Sequence, residues 1–358
     1  MTTLDATFFT IQQNPFLAIE AELKQPLSKP LELFVSVAEL ADPARHVAHH
    51  EWRRRGRPSH WRLPMVLAWI AKAVLDLPTT RALLERLRYD PTLRRLCGWE
   101  RRDDLPSEST FSRAFERFAR GALPQRIHEA LIRTHDGGKK TGGPRQPQQH
   151  GDRAARKPPR PKFRRGRPRK EEQRPPRRSR RLALQPSRTL AENLADLPAV
   201  CDSGCKTGAK GQPMYWRGYK LHLDVVDGEI PVSAILTSAS THDSQAAIAL
   251  AQMTARRVTH LYDVMDSAYD AAAIRDFSRA LGHVPLIDPN RRAGAGPALS
   301  PAQIIRYRER AAVERVNGEL KDNHGGKHVR VRGAVKVLAH LMWGVIVVTV
   351  KGLRRLLE

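Results

Sequence analysis

Residues 219–247 read YKLHLDVVDGEIPVSAILTSASTHDSQAA, and this stretch decides the class of fold. Tyr219 to Val226 alternates apolar and polar side chains, Asp227-Gly228 is a two-residue hairpin signal, and Ile230 to Leu236 returns as a second strand. A helix fits Ser244 to Arg256 directly afterwards. Outward from there the pattern continues with a strand at His260 to Met265, a helix at Ala272 to Ala280 and a strand at His283 to Ile287. Ser300 to Lys321 is helical up to the Gly325-Gly326 break, and Val335 to Leu357 is a last, very apolar helix. Strands that alternate with helices and include one hairpin predict an α/β domain with a mixed sheet.

Upstream the period changes. Trp61 to Leu77, Thr80 to Tyr89 and Ser109 to Ala119 carry apolar residues three and four apart, which predicts a small all-helical unit. In LPSESTFSRAFERF, Ser107 or Ser109 caps a helix that puts Phe111, Phe115 and Phe118 on one face. Arg113, Arg117 and Arg120 fall on another face. That face reads either as a solvated basic side or as a helix-turn-helix-like contact with DNA.

Between the halves, Lys139 to Gln185 holds 18 Lys+Arg, three acids and eight prolines in 47 residues. So little apolar surface cannot offset the entropy of ordering, so the segment is expected to be a disordered basic linker. It accounts for +15 of a net charge of +25, which points to a polyanionic partner. The expected boundaries are therefore 1–135 helical, 136–188 linker and 189–358 α/β. Within the linker, Arg165-Gly166-Arg167-Pro168 is an AT-hook-like tetrapeptide, in which two arginines follow a narrow minor groove. Arg55-Gly56-Arg57-Pro58 repeats it with less support. Three cysteines are too few for a disulfide scaffold, and the start MTTLDATFF lacks the basic-then-apolar pattern of a secretory signal, so a cytoplasmic setting is expected. His340 and the flanking Lys336 and Lys351 argue that the last helix is buried or at an interface and is not a membrane span. Cys201-x3-Cys205 has no second ligand pair at finger spacing, and zinc is not expected there.

Chemistry concentrates in YRERAAVERVNGELKD, Tyr307 to Asp322. On one helix, Tyr307, Arg310, Glu314 and Lys321 form a stripe beside the apolar stripe of Val313, Val316 and Leu320. Spacing alone also fits an ordinary salt-bridged amphipathic helix. However, Tyr-x2-Arg-x3-Glu-x6-Lys resembles the signature around the catalytic glutamate of bacterial insertion-sequence transposases of the DDE class. The likeness extends to the hairpin quoted above, to YDVMDSAYDA, and to WRLPMVLAWIAKAVLDLPTTRALLERL with LPSESTFSRAF.

That resemblance implies a ribonuclease H-like mixed sheet behind a helical N-terminal domain. It implies strand cleavage and transfer on double-stranded DNA, with Mg2+, or Mn2+ in its place, held by two aspartates and a glutamate. Such ions are hard cations that take carboxylates and water. Asp266 is then the second acid and Glu314 the third. Arg310 and Lys321 hold phosphates beside the scissile bond, and Tyr307 either contacts the transferred strand or packs. Asp270 reads as a helix cap, and Asp263 faces the other side of its strand. Asp243 caps its helix by default, with a role near the metals as the alternative. A homodimer on DNA is expected, because two ends must be paired.

The first aspartate departs from the pattern. The relatives carry an Arg-Asp-(Ser/Ala)-Thr-Ala-Ile-Glu strand before the basic linker, and no such stretch occurs here. Asp136 stands near the expected place, among glycines that suit a turn. Asp202 ends a short apolar stretch 64 residues before Asp266 and is the alternative. A third reading concerns Pro147 to Ala154, PQQHGDRA. One codon set for it, read from the second base, spells Arg-Asn-Ser-Thr-Ala-Ile-Glu. Paired frameshifts would thus have replaced the strand and left a copy that binds DNA without cutting it.

Overall fold

A computed structural model describes residues 26–47, 62–136, 144–145, 148–151, 178–207, 212–289 and 299–357. In chain order the elements are α1 (Lys29–Ala41), α2 (Arg62–Val74), α3 (Thr80–Tyr89), α4 (Pro91–Leu96), α5 (Glu108–Arg120), α6 (Leu123–Asp136), β1 (Pro144–Arg145), β2 (Gln148–Gly151) and α7 (Arg178–Leu184). There follow α8 (Leu190–Asp196), β3 (Asp202–Thr207), β4 (Pro213–Val226), β5 (Ile230–Ser238), α9 (Ser244–Ala255), β6 (Tyr262–Met265), α10 (Ala272–Ala280) and β7 (Val284–Ile287). The chain ends with α11 (Pro301–Tyr307), α12 (Ala311–Asn323) and α13 (Ala334–Leu357). It divides into two compact units, one made of 1–135, 319–326 and 335–358, the other of 136–318 and 327–334. The expected boundary at 189–358 differs from this division, because the last helix clusters with the N-terminal helices.

The first unit is helical. Every residue of α2 from Leu63 to Val74 is buried, Lys72 included. The Trp69 ring lies tilted at 4.6 Å from Phe115 and edge-on at 6.3 Å from Phe111, so the phenylalanine face of α5 supplies the core. Ser107 accepts from the Thr110 N–H at the start of α5, and Arg113, Arg117 and Arg120 lie exposed on its other side. Helix α13 is long and apolar enough to cross a membrane by length and composition, yet 67 % of the relevant window is buried inside the protein. Three of its polar side chains are paired within the same unit. Thr349 Oγ1 lies 3.2 Å from His128 Nε2, and Lys351 pairs with Glu319. His340 Nε2 donates to Gly325 O at 3.0 Å; burial first, then Lys72, push its pKa down to about 4, so the ring is neutral at pH 7.

The second unit holds the sheet. β5, β4 and β2 are antiparallel neighbours in that order, while β1, β6 and β7 form a parallel set. β1 and β2 are two residues apart in the chain. The described strands include antiparallel pairs, β5–β4 and β4–β2, and parallel pairs, β1–β6 and β6–β7. This is the mixed arrangement expected of a ribonuclease H-like sheet. β3 adds to the other part of β4, Asp202 facing Gly218 and Thr207 facing Pro213.

Two expectations change here. The linker 136–188 is not wholly irregular. β1 and β2 join the sheet, and α7 docks by placing Leu182 in a cluster with Ile248, Met265, Tyr269, Ile274 and Ile287. Gln185 Nε2 donates to Gln245 O at 2.7 Å, which anchors the same end. A Pro/Arg-rich average hid a few apolar residues at its edges. Second, the hairpin loop spans three residues, since Val226 pairs with Ile230, and both Gly228 and Glu229 take positive φ. Both faces of β4 are covered, for Tyr219 to Val226 are all buried. Its polar side chains bond internally: Lys220 Nζ donates to Thr241 O at 2.7 Å, His222 Nε2 lies 2.8 Å from Thr237 Oγ1, and Thr254 Oγ1 donates to Asp224 Oδ2 at 2.6 Å.

Candidate active site

The carboxylates gather where the parallel strands β6 and β7 end, the edge at which open α/β sheets commonly place their chemistry. Asp266 follows β6 directly and caps a short 3-10 turn, accepting from the Ala268 N–H at 2.9 Å. Burial raises its pKa above the usual carboxylate range, and Asp288 adds to the rise. The Ala268 N–H, Arg310 and His242 oppose it. Asp288 follows β7 in the same manner, its N–H donating to Met265 O at 3.3 Å. Tyr307, at the end of α11, is also raised, first by burial and then by Asp288, Asp266 and Glu314 against Arg310. Asp266, Asp288, Tyr307, Arg310 and Glu314 are thus electrostatic neighbours in one place.

The stripe read from the sequence is not one continuous helix. α11 stops at Tyr307, a 3-10 turn covers Arg308–Arg310, and α12 resumes at Ala311. The i,i+4 pair survives this break, with Arg310 Nη2 2.8 Å from Glu314 Oε1 and the Glu314 side chain half exposed. Val313, Val316 and Leu320 are buried as the apolar stripe required. Lys321 lies seven residues beyond Glu314 in α12, in the stretch 319–326 that clusters with the first unit. Two cross-ties hold this region to the β4–β5 turn: Arg306 to Asp227 at 3.3 Å, and Arg315 to Glu229.

Beside Asp266 stands Asp243, 2 % exposed. It occupies the N-cap position of α9 but makes no side-chain cap bond, so the capping expectation is corrected. Its carboxylate faces Lys220 instead, Nζ to Oδ1 at 3.5 Å. Burial raises its pKa to about 6, with Lys220 lowering it and Asp266 raising it further. The buried hydroxyl of Tyr269 has no hydrogen-bond partner among the described residues and senses Asp243, Asp266 and Asp224.

Other candidates are placed elsewhere. Asp263 is buried under three donors: His260 Nε2 at 2.9 Å, Ser278 Oγ at 2.6 Å and His283 Nδ1 at 3.1 Å. Asp270 does not cap α10, whose cap position is Ala271; it pairs with Arg275 at 2.9 Å, because the 3-10 turn delays the helix start. Asp202 accepts from the Ser240 N–H at 2.9 Å and from its hydroxyl, on β3, a strand that pairs only with β4. Asp136 closes helix α6 and lies on no strand. Arg165 and Arg167 fall outside the described residues. Asp288 is the site residue that the sequence reading passed over. The signal was present, since VPLI-Asp288 repeats the apolar-strand-then-aspartate form of YDVM-Asp266.

The donor set can be tested against the divalent cation that the resemblance implies. Asp266, Asp288 and Glu314 offer hard oxygens, and like charges raise Asp266, which is the situation a cation relieves. This side fits one ion. The short strands β1 and β2 contain no carboxylate.

Two family models match the chain: a transposase DDE domain over residues 198–350, and a transposase domain (DUF772) over residues 19–117. No curated protein and no solved structure matches it. The protein is therefore a DDE-class transposase, of a class of enzymes that cleave and transfer DNA strands with divalent metal ions. It belongs to the insertion-sequence transposases, and its sheet is the ribonuclease H-like fold of their DDE domain.

Proposed function

We propose that this transposase recognises the terminal inverted repeats of an insertion sequence and presents their phosphodiesters to the Asp266–Glu314 site for Mg2+-dependent cleavage and transfer. The observation that carries this is the convergence of Asp266, Asp288, Arg310, Tyr307 and Glu314 at the strand ends. Arg310 supplies a fixed cation that a phosphate needs, and Tyr307 packs the strand against it. Asp266 and Glu314 would hold Mg2+, with Mn2+ as substitute, whose contribution is to stabilise charge on the attacking and leaving oxygens. In the reaction an oxygen of water or of a 3′-hydroxyl bonds to phosphorus, the opposite P–O bond breaks in line, and the attacking oxygen loses its proton. Arg113 and Arg117 on the exposed face of α5 contact the repeat, and the linker arginines Arg165 and Arg167 add a minor-groove contact. Pairing two ends calls for a homodimer on DNA, in the cytoplasm with the bacterial nucleoid.

Mobility shift on a repeat-containing duplex, beside nicking of supercoiled plasmid in Mg2+, tests the proposal. Sequence-specific retention is expected; its loss under competition by unrelated DNA would overturn it. Glu314→Gln is expected to abolish any cleavage while sparing retention, because it removes an oxygen anion but leaves the basic surfaces intact. A second reading is favoured by a sequence that holds no counterpart of the relatives' acidic strand: a copy that binds the ends without cutting them.

A further inference from the structure

Away from the carboxylate edge, three side chains of metal-binding type meet at the opposite ends of the same two parallel strands. His260 stands just before β6, Asp263 lies in β6, and His283 immediately precedes β7. His260 Nε2 is 2.9 Å from Asp263 Oδ1, and His283 Nδ1 is 3.1 Å from Asp263 Oδ2. The three ligand atoms all lie within 4.8 Å of one another, and the two imidazole rings are 3.9 Å apart between centroids. The side chains of His260 and Asp263 are buried, while that of His283 is 10 % exposed. Asp266 follows Asp263 by about 10 Å of extended chain, so this cluster is separate from the Asp266 site.

We propose that His260, Asp263 and His283 bind one divalent ion of the zinc type, and that this ion ties the start of β6 to the start of β7. The donors are two imidazole nitrogens and a carboxylate, a set that suits Zn2+, whereas Mg2+ takes oxygen ligands. A tetrahedral ion with bonds of about 2.1 Å holds its ligand atoms about 3.4 Å apart, so the cluster is near the required spacing before any ion enters. The carboxylate is also supported from outside. Ser278 Oγ in α10 donates to Asp263 Oδ2 at 2.6 Å, the kind of second contact that fixes a ligating carboxylate. His260 Nδ1 has no hydrogen-bond partner among the described residues, so the polar engagement of this ring is directed at the cluster. Buried carboxylates are paired or bound to metal, and a dication meets this one and both rings at a single point. The partly exposed His283 supplies a route of entry and room for water as a fourth ligand. At the same level the Val284 N–H already donates to Leu261 O at 2.8 Å, and the ion adds a side-chain cross-link to that backbone tie. Fixing β6 against β7 also fixes Asp266 and Asp288, which follow those two strands.

The test uses the full chain, stripped with a chelator and titrated with Zn2+ alone and in excess Mg2+, with uptake read by competition against a chromogenic chelator. About one Zn2+ per chain is expected, undisturbed by Mg2+ and by Asp266→Asn. Co2+ in its place is expected to show the intense visible absorption of a tetrahedral ion, and bound Zn2+ to raise the melting temperature. His283→Gln is expected to lose the ion while its circular dichroism stays that of the wild type. Should that variant fail to fold, Ser278→Ala keeps all three ligands and is expected to bind Zn2+ about 10–100-fold more weakly. No uptake by the wild type would leave the cluster a hydrogen-bonded network and overturn the proposal. So would Zn2+ retained by a folded His283→Gln, which places the ion on other groups such as Cys201 and Cys205. Loss of the ion in Asp266→Asn, or unchanged affinity in Ser278→Ala, would overturn it equally.

Discussion

The buried Lys220–Asp243 pair makes a quantitative prediction about pH. Asp243 is 2 % exposed and its pKa stands at about 6, against an ordinary 3.8. A carboxyl that binds its proton more tightly in the folded state stabilises the fold fully below 3.8 and loses that contribution as pH rises through about 6. At about 1.4 kcal/mol for each tenfold change in proton affinity, the interval corresponds to about 3 kcal/mol. Asp243→Asn cannot titrate, so it should remove this fall whatever its effect on absolute stability. Asp266 and Asp227 are raised as well and slope in the same direction, but they are common to both proteins. The difference between the two profiles therefore isolates Asp243. Hydrogen-exchange protection of peptides covering β4 and β5, corrected for intrinsic rates, reads the local stability between pH 4 and pH 7.5. Wild type should lose about 2.4 kcal/mol more than Asp243→Asn over that range, the remainder having gone below pH 4. Parallel profiles would refute the reasoning, and would mean that Lys220 fully offsets the burial of Asp243.

Further outcomes follow from packing and charge. A Cβ on Gly344 in α13 would meet His324 O and Leu320 Cδ1 at 2.6 Å. Backbone cannot yield as a side-chain tip does, so Gly344→Ala should destabilise the first unit by about 1–3 kcal/mol in thermal melting. Phe111 is fully buried between Trp69 and Trp99, and Phe111→Ala should cost about 3–5 kcal/mol by the same measurement. Replacing both Arg165 and Arg167 by alanine should flatten the slope of log K against log salt by about 2 in mobility shifts on AT-rich duplex. An unchanged slope would remove the linker from the DNA footprint.

Much of this protein was legible in its local patterns, and the reason is that short-range periodicity reports which side of an element is covered. α3 and α10 lie at the residues their periodicity marked, and the hairpin, α9, β6 and β7 fall within a few residues of the expected ends. Phe111, Phe115 and Phe118 are buried as a helical period demands. Composition was a poorer guide, because it averages. The linker's prolines and arginines concealed Leu182 and Gln185, whose partners lie about sixty residues along the chain.

The site divides along the same line. A four-residue signature carried Arg310 and Glu314, since an i,i+4 pair is local. Asp243 and Asp288 were misread or passed over because their meaning comes from Lys220 and Asp266, residues that only the folded sheet brings near. The stretch Pro144–Gly151 is the clearest case. PRQPQQHG has two prolines and no β-branched residue, and nothing in it taken alone marks a strand. Pro144–Arg145 nevertheless pairs with β6, and Gln148–Gly151 with β4. Ladder hydrogen bonds join backbones whatever the side chains are, so only the folded sheet decides which segments it takes in.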